Sequence, residues 1–160
     1  MKLNNKNRIA ILGMGYVGFP LLKSFSKLYN VLGYDINKKK IRDLKKKYKK
    51  FSFSFNEDDL LNFDFYIICV PTPLKKNNLP DLNLVKDATK IVGKKINFNS
   101  TIIYESTVYP GVTEKICVPI LERFSKKIYN KDFYVGYSPE RINPGDKKNT
   151  LENITKVISA

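Results

Sequence analysis

The chain has 160 residues, with 29 Lys plus Arg against 15 Asp plus Glu, two cysteines and no histidine. That length suits one domain with a substantial core, since a chain of this size buries about 70% of its unfolded surface. The lack of histidine excludes a Ser-His-Asp triad, a Cys-His dyad and any His-containing zinc site, and ten Tyr with ten Phe in a 42% apolar chain argue against disorder.

The first residues, MKLNNKNR, run into an uncharged stretch over 9–22 that mimics a secretory leader. Gly13, Gly15, Gly18 and Pro20 would break the apolar helix such a leader needs, and the stretch is shorter than the ~20 residues that span a bilayer. Neither a leader nor membrane insertion is expected. Residues 8–12 instead read as a buried strand, and Val17, Leu21, Phe25 and Leu28 then recur at helical spacing over 16–29. A second strand over 31–35 precedes Asn37, a suitable N-cap for a Lys-rich helix.

That helix holds the densest part of the +14 net charge, and a pI near 9.7 invites a nucleic-acid reading. Ile41, Leu44 and Tyr48 interrupt the lysines with an intact apolar stripe, and only four of the basic residues are Arg, the better reader of phosphates and bases. A solvated helix face is the stronger reading, and no nucleic-acid partner is expected.

Residues 51–55 alternate with period two, as a half-exposed strand does, and 64–70 form a continuous apolar run typical of a strand covered on both faces. Asp81 can cap a helix carrying Leu84, Ala88, Ile91 and Val92. A strand over 100–104 follows, then a helix with Val112, Ile116, Ile120 and Phe124 every fourth residue, which Pro119 should kink. A sixth strand spans 132–137. Six strands separated by crossovers predict an α/β, Rossmann-like, doubly wound and mostly parallel sheet with helices on both faces. Residues 1–142 are expected to form this domain, and 143–160 to start a connection to central and substrate domains outside the chain.

Gly13-Met14-Gly15-Tyr16-Val17-Gly18 is a GxGxxG sequence placed directly after the first strand and opening the first helix. Gly13 permits the tight turn, Gly15 lets a pyrophosphate approach the backbone, and Gly18 lets helix pack close to strand. Asp35 ends the second strand, where a carboxylate accepts hydrogen bonds from an adenosine ribose and repels a 2′-phosphate. NAD is therefore favoured over NADP, although Lys38, Lys39 and Lys40 lie nearby. Val70-Pro71-Thr72-Pro73, Glu105-Ser106-Thr107 and Ser138-Pro139-Glu140-Arg141 each follow a strand, so all three should gather at the carboxyl edge of the sheet, where open α/β sheets bind ligands. Neither Cys69, inside a strand, nor Cys117, inside a helix, sits in a CxxC motif. Both read as small core hydrophobes of a reducing, cytoplasmic compartment, and no metal site is expected.

The segments GMGYVGFP, VPTPL, ESTVYPGVTE and GYSPERINPGDK together resemble the N-terminal domain of the UDP-glucose/GDP-mannose dehydrogenase family, and SPERINPGDK is most similar to the branch acting on UDP-N-acetylhexosamines (GlcNAc, GalNAc or ManNAc). The resemblance implies a two-step, NAD-dependent oxidation of the sugar C6 alcohol to a uronate, for surface polysaccharides, in an enzyme that is a homo-oligomer in its full-length form. It assigns Gly13, Gly15, Tyr16, Val17 and Gly18 to the pyrophosphate loop and Asp35 to the ribose. Val70, Pro71 and Thr72 would contact the cofactor, Thr107 the nicotinamide and a catalytic water. Glu140 would serve acid/base and hydrolysis steps, with Arg141 and Ile142 beside the sugar nucleotide. The family's nucleophilic cysteine has no counterpart here, so the polypeptide alone is expected to bind NAD without completing the oxidation. The alternatives are a UDP-glucose or GDP-mannose 6-dehydrogenase fragment and a stand-alone NAD-binding module.

Overall fold

A computed structural model describes residues 6–139 and 157–159. Six strands, β1 (Arg8–Leu12), β2 (Asn30–Tyr34), β3 (Ser52–Ser54), β4 (Phe65–Ile68), β5 (Ser100–Tyr104) and β6 (Phe133–Tyr137), form one parallel sheet in the order β3-β2-β1-β4-β5-β6. Among the described residues four α-helices, α1 (Gly18–Phe25), α2 (Lys38–Lys47), α3 (Asn83–Gly93) and α4 (Val118–Ser125), lie in four of the five crossovers, and a 3-10 turn, Glu57–Leu60, lies in the fifth, between β3 and β4. The strand order reverses direction between β1 and β4, which fixes the switch point of the fold.

Alternation along the strands divides the core in two. Ala10 and Leu12 of β1, with Tyr66 and Ile68 of β4 and Ile102 and Tyr104 of β5, point to one face and pack on Val85, Ala88 and Val92 of α3 and Leu121 of α4. Ile9 and Ile11, with Val31, Phe53 and Ile67, point to the other and meet Leu21 and Leu22 of α1 and Ile41 of α2. The central strands are buried on both faces, so their sequences read as unbroken apolar runs. In α2 only Ile41 is fully buried, and the lysines around it are mostly exposed. The aliphatic stems of Lys38 and Lys45 bring their ammonium groups 5.7 and 5.9 Å from the Phe55 ring centre, which covers the aromatic edge of the sheet beside β3.

Two sequence expectations need adjustment. The predicted kink at Pro119 takes the form of a π-helical turn, Thr113–Cys117, leading into α4, with the Val118 amide donating to the Thr113 carbonyl. Pro119 then falls in the first turn of α4, where its missing N–H leaves no helical bond unmade. The predicted first helix is shorter than 16–29, because residues 26–29 close it with turns onto Leu22, Ser24 and Phe25 carbonyls. Beyond the parallel sheet, Ser159 forms an antiparallel bridge with Tyr137 at the β6 edge, and each amide donates to the other's carbonyl. Among the described residues no helix is long and apolar enough to cross a membrane.

Candidate functional site

Strand register builds the site. Tyr34, Leu12, Ile68, Tyr104 and Tyr137 lie side by side as the last residues of β2, β1, β4, β5 and β6. The next residue of each strand therefore starts a loop at the carboxyl edge: Asp35, Gly13, Cys69, Glu105 and Ser138. A cleft of about 430 Å³ opens over this row, lined by Gly13, Gly15, Tyr16, Val17, Asp35, Val70, Pro71, Thr72 and Thr107 among others. Nine of the ten predicted cofactor residues thus share one surface.

The tenth, Gly18, lies beneath it. A Cβ on Gly18 would sit 2.0 Å from the Gly13 carbonyl oxygen, so only glycine lets α1 start this close to β1. Gly13 itself has φ of +96° and would push a Cβ to 2.7 Å from the Cys69 carbonyl. Gly15 differs: a Cβ there would meet nothing within 4 Å. The space above Gly15 is the open cleft, and this is the cradle a pyrophosphate needs, with the N-terminus of α1 aimed at it.

Asp35 is held rather than merely present. Its Oδ2 accepts the Met14 amide at 3.0 Å and its Oδ1 accepts the Asn37 amide at 2.9 Å, which ties the glycine loop to the start of α2. Lys40 Nζ donates to Oδ2 at 2.7 Å. Asn37 caps α2 through the Lys40 amide, as its residue type predicts, and so sets the turn that brings Lys40 back to Asp35. A second, mainly apolar hollow of about 230 Å³ adjoins Asp35 between Ile36, Pro71, Leu84 and Ile91.

The β4 and β5 side is assembled from loops. Ser106 Oγ donates to the Val70 carbonyl at 2.7 Å, and the Glu105 and Ser106 amides donate to the Ile68 carbonyl, so the Pro-Thr-Pro loop is anchored to the end of β5. The loop then folds on itself through the Leu74–Pro80 bridge, and the Asp81 amide donates to the Pro73 carbonyl. Asp81, expected to cap α3, does not take that position: the N-cap falls on Leu82, which has no side-chain cap bond. Asp81 stands one residue earlier and accepts the Asn83 amide at 3.0 Å in a turn leading into the helix. Thr72 is half-buried and Thr107 exposed at the cleft. Pro73, Glu105 and Ser106 also line it; they belong to segments expected at this edge but were given no role, while Lys40 and Cys69 were not placed at the cleft from sequence. Register would have found Cys69, because it follows a strand end in the same row as Asp35. Glu140, Arg141 and Ile142 lie outside the described residues.

Both cysteines are buried, and neither forms a disulfide among the described residues. Burial pushes the Cys117 thiol above its ordinary value, and Cys69 sits on the cleft floor with its Cβ facing Gly18.

A switch-point cleft, a glycine loop opening a helix and an anchored carboxylate at the end of the second strand define a dinucleotide-binding Rossmann domain. Residues 7–159 match the model of the UDP-glucose/GDP-mannose dehydrogenase family, NAD binding domain, and the chain belongs to that family. It is 48% identical to Protein CapL of Staphylococcus aureus over 97% of this chain and 39% of that protein. It is 46% identical to the UDP-N-acetyl-D-glucosamine 6-dehydrogenase of Salmonella typhi over 95% of this chain and again 39% of that protein. The solved UDP-D-ManNAc dehydrogenase of Pyrococcus horikoshii superposes with a TM-score of 0.77 at 37% identity, covering 86% of this chain and 37% of that one. The chain thus spans about two fifths of the length of these relatives. Its cofactor is NAD.

Proposed function

We propose that the chain is the NAD-binding part of a UDP-N-acetylhexosamine 6-dehydrogenase, which oxidises the C6 alcohol of the nucleotide sugar to a uronate in two hydride-removing steps. The observation that supports this most is the register row, which sets the glycine loop, Asp35 and the Thr72 and Thr107 loops around one cleft. In this reading the Gly13–Gly15 backbone and the α1 N-terminus hold the pyrophosphate, while Tyr16 and Val17 wall it. Asp35 accepts the adenosine ribose hydroxyls, and the hollow between Ile36, Leu84 and Ile91 takes the adenine. Val70, Pro71, Thr72 and Thr107 lie where the nicotinamide half would rest. The cofactor supplies the hydride acceptor. The chain's own residues bind it, orient it and keep one side of the cleft dry.

Glu140 is proposed for acid/base work, and Arg141 and Ile142 for contact with the sugar nucleotide. The domain is proposed to span 1–142, with 143–160 beginning the connection to further domains. Within a full-length dehydrogenase it would work in a cytoplasmic homo-oligomer, a compartment in keeping with two buried thiols outside any disulfide. Cys117 is buried in the core and Cys69 packs against Gly18 beneath the glycine loop, so neither is proposed as the nucleophile toward an aldehyde. The 160-residue polypeptide should therefore bind NAD+ in calorimetry yet yield no NADH absorbance with UDP-GlcNAc, UDP-GalNAc or UDP-ManNAc. Robust NADH formation would refute the assignment of the nucleophile to sequence outside this chain.

A further inference from the structure

The two faces of the sheet carry equal numbers of cations but very different numbers of acids. Residues 16–50, which bear α1 and α2, hold eleven Lys or Arg against two Asp. Residues 55–131, which bear α3 and α4 on the opposite face, hold eleven Lys or Arg against nine Asp or Glu. A chain rich in lysine through composition alone would balance both faces alike, whereas here acids are kept off one of them. Of the two aspartates on that side, Asp35 faces the cleft and pairs with Lys40. Asp43 is left as the one acid of α2.

The charge is concentrated on α2 and the turn after it. Nine of the thirteen residues 38–50 are Lys or Arg, and all of these except Lys40 are exposed. At 100° per residue, Lys39, Arg42 and Lys46 fall on the side of the helix away from the buried Ile41. The helix is about 15 Å long, so these cations meet a flat surface together. Flanking cations are braced on aromatic rings: Lys47 Nζ lies 5.4 Å from the Tyr48 ring centre and Lys50 Nζ 5.0 Å from that of Phe51. Those rings pack with Phe19 and Phe53 in one cluster anchored on the sheet. Part of the side-chain ordering that docking requires is therefore already in place.

We propose that this outer face of α2, continued through Lys49 and Lys50, is a docking surface for an anionic lipid bilayer, held by charge with no inserted segment. Lysine suits that partner, because a fluid sheet of headgroup charge calls for many point charges and no fixed fork. Arg42 is the single arginine of the nine, whereas duplex phosphates and base edges are best read by arginine. The ammonium groups keep their water in such a contact, so the face stays solvated while it docks. The inference goes beyond the dinucleotide reading and does not depend on it.

Co-sedimentation of the 160-residue chain with vesicles tests this, using phosphatidylcholine alone and phosphatidylcholine with about 30% phosphatidylglycerol, at low and high salt. Wild type should bind the anionic vesicles and not the neutral ones, and high salt should release it. Each cation near such a surface is worth about fivefold in partition. Lys39→Ala, Arg42→Ala, Lys46→Ala and Lys49→Ala combined should therefore lower partition at least about thirtyfold. These four positions lie outside the lining of the dinucleotide cleft. Lys90→Ala, Lys94→Ala, Lys127→Ala and Lys131→Ala combined remove the same charge from the other face and should lower it less than about threefold. If a combined variant fails to fold, the four single α2 variants carry the test, each losing about fivefold. Wild type left unbound by anionic vesicles, or equal losses from the two faces, would overturn the proposal. So would tighter retention on duplex DNA than on anionic vesicles at matched salt, which would assign the face to nucleic acid.

Discussion

The two halves of the cleft are built differently. On the β1–β2 side the site is mostly backbone and one carboxylate, locked by the Met14 and Asn37 amides onto Asp35 and by the contact of Gly18 with Gly13. On the β4–β5 side it is side chains on loops, anchored at few points such as Ser106 to Val70. In the proposed reading the first half would hold the phosphates and a ribose and the second would meet the reacting ring, where Thr72 is half-buried and Thr107 exposed. Backbone anchoring would then sit where the ligand is constant, and loops where the chemistry would occur.

Substitutions in the glycine loop should separate folding from binding most sharply. Gly18→Val places a Cβ 2.0 Å from a carbonyl oxygen, so α1 must move off β1. A loss of about 3 kcal/mol or more, read from the urea midpoint, is expected together with loss of NAD+ binding. Gly15→Val meets no neighbour within 4 Å, so stability should stay near wild type while NAD+ affinity falls at least about a hundredfold, because the side chain fills the pyrophosphate space. If both variants behaved alike, the distinction between packing glycine and ligand glycine would be lost.

Asp35→Ala removes the ribose acceptor and leaves two amides without their partner. We expect NAD+ affinity to fall about tenfold to a hundredfold, with about 1–3 kcal/mol of stability lost as well. Ser106→Ala, on the other side, should cost only about 1 kcal/mol and weaken NAD+ modestly, leaving ADP binding unchanged. Equal effects on NAD+ and ADP would show that the Val70 loop does not serve the nicotinamide half.

The smallest effect concerns the frame rather than the cleft. Burial raises the Tyr66 hydroxyl to about 12, while that hydroxyl donates toward the Leu60 and Lys95 carbonyls. A raised value means the folded state favours the neutral phenol. Its contribution to stability is complete below the ordinary tyrosine value and is lost as pH climbs from about 10 to about 12. Thermal melts should show this alkaline slope, and Tyr66→Phe should flatten part of it. A slope unchanged in Tyr66→Phe would assign the alkaline loss to other groups.

Much of this was legible in the chain because local signals and tertiary roles coincide. All six strands were predicted to within a few residues, since apolar runs such as FYII and STIIY occur only where both faces are covered. The GxGxxG loop and Asp35 were readable because each demands a residue type for a backbone reason. Lys40 was not, although its three-lysine run was noted. Nothing in Lys38-Lys39-Lys40 says which ammonium turns back to Asp35; the Asn37 cap and the first turn of α2 decide it. The π-helical turn before Pro119 was legible only as a disturbance, because proline marks where a backbone N–H is missing but not how the chain absorbs it.

Calorimetric titration of the 160-residue chain with NAD+, beside ADP and nicotinamide mononucleotide, tests the central claim most directly. The account predicts one site per chain for NAD+, ADP bound almost as tightly, and the mononucleotide bound far more weakly, because the adenosine half is the pre-organised one. Absence of NAD+ binding, or tighter binding of the mononucleotide than of ADP, would contradict it.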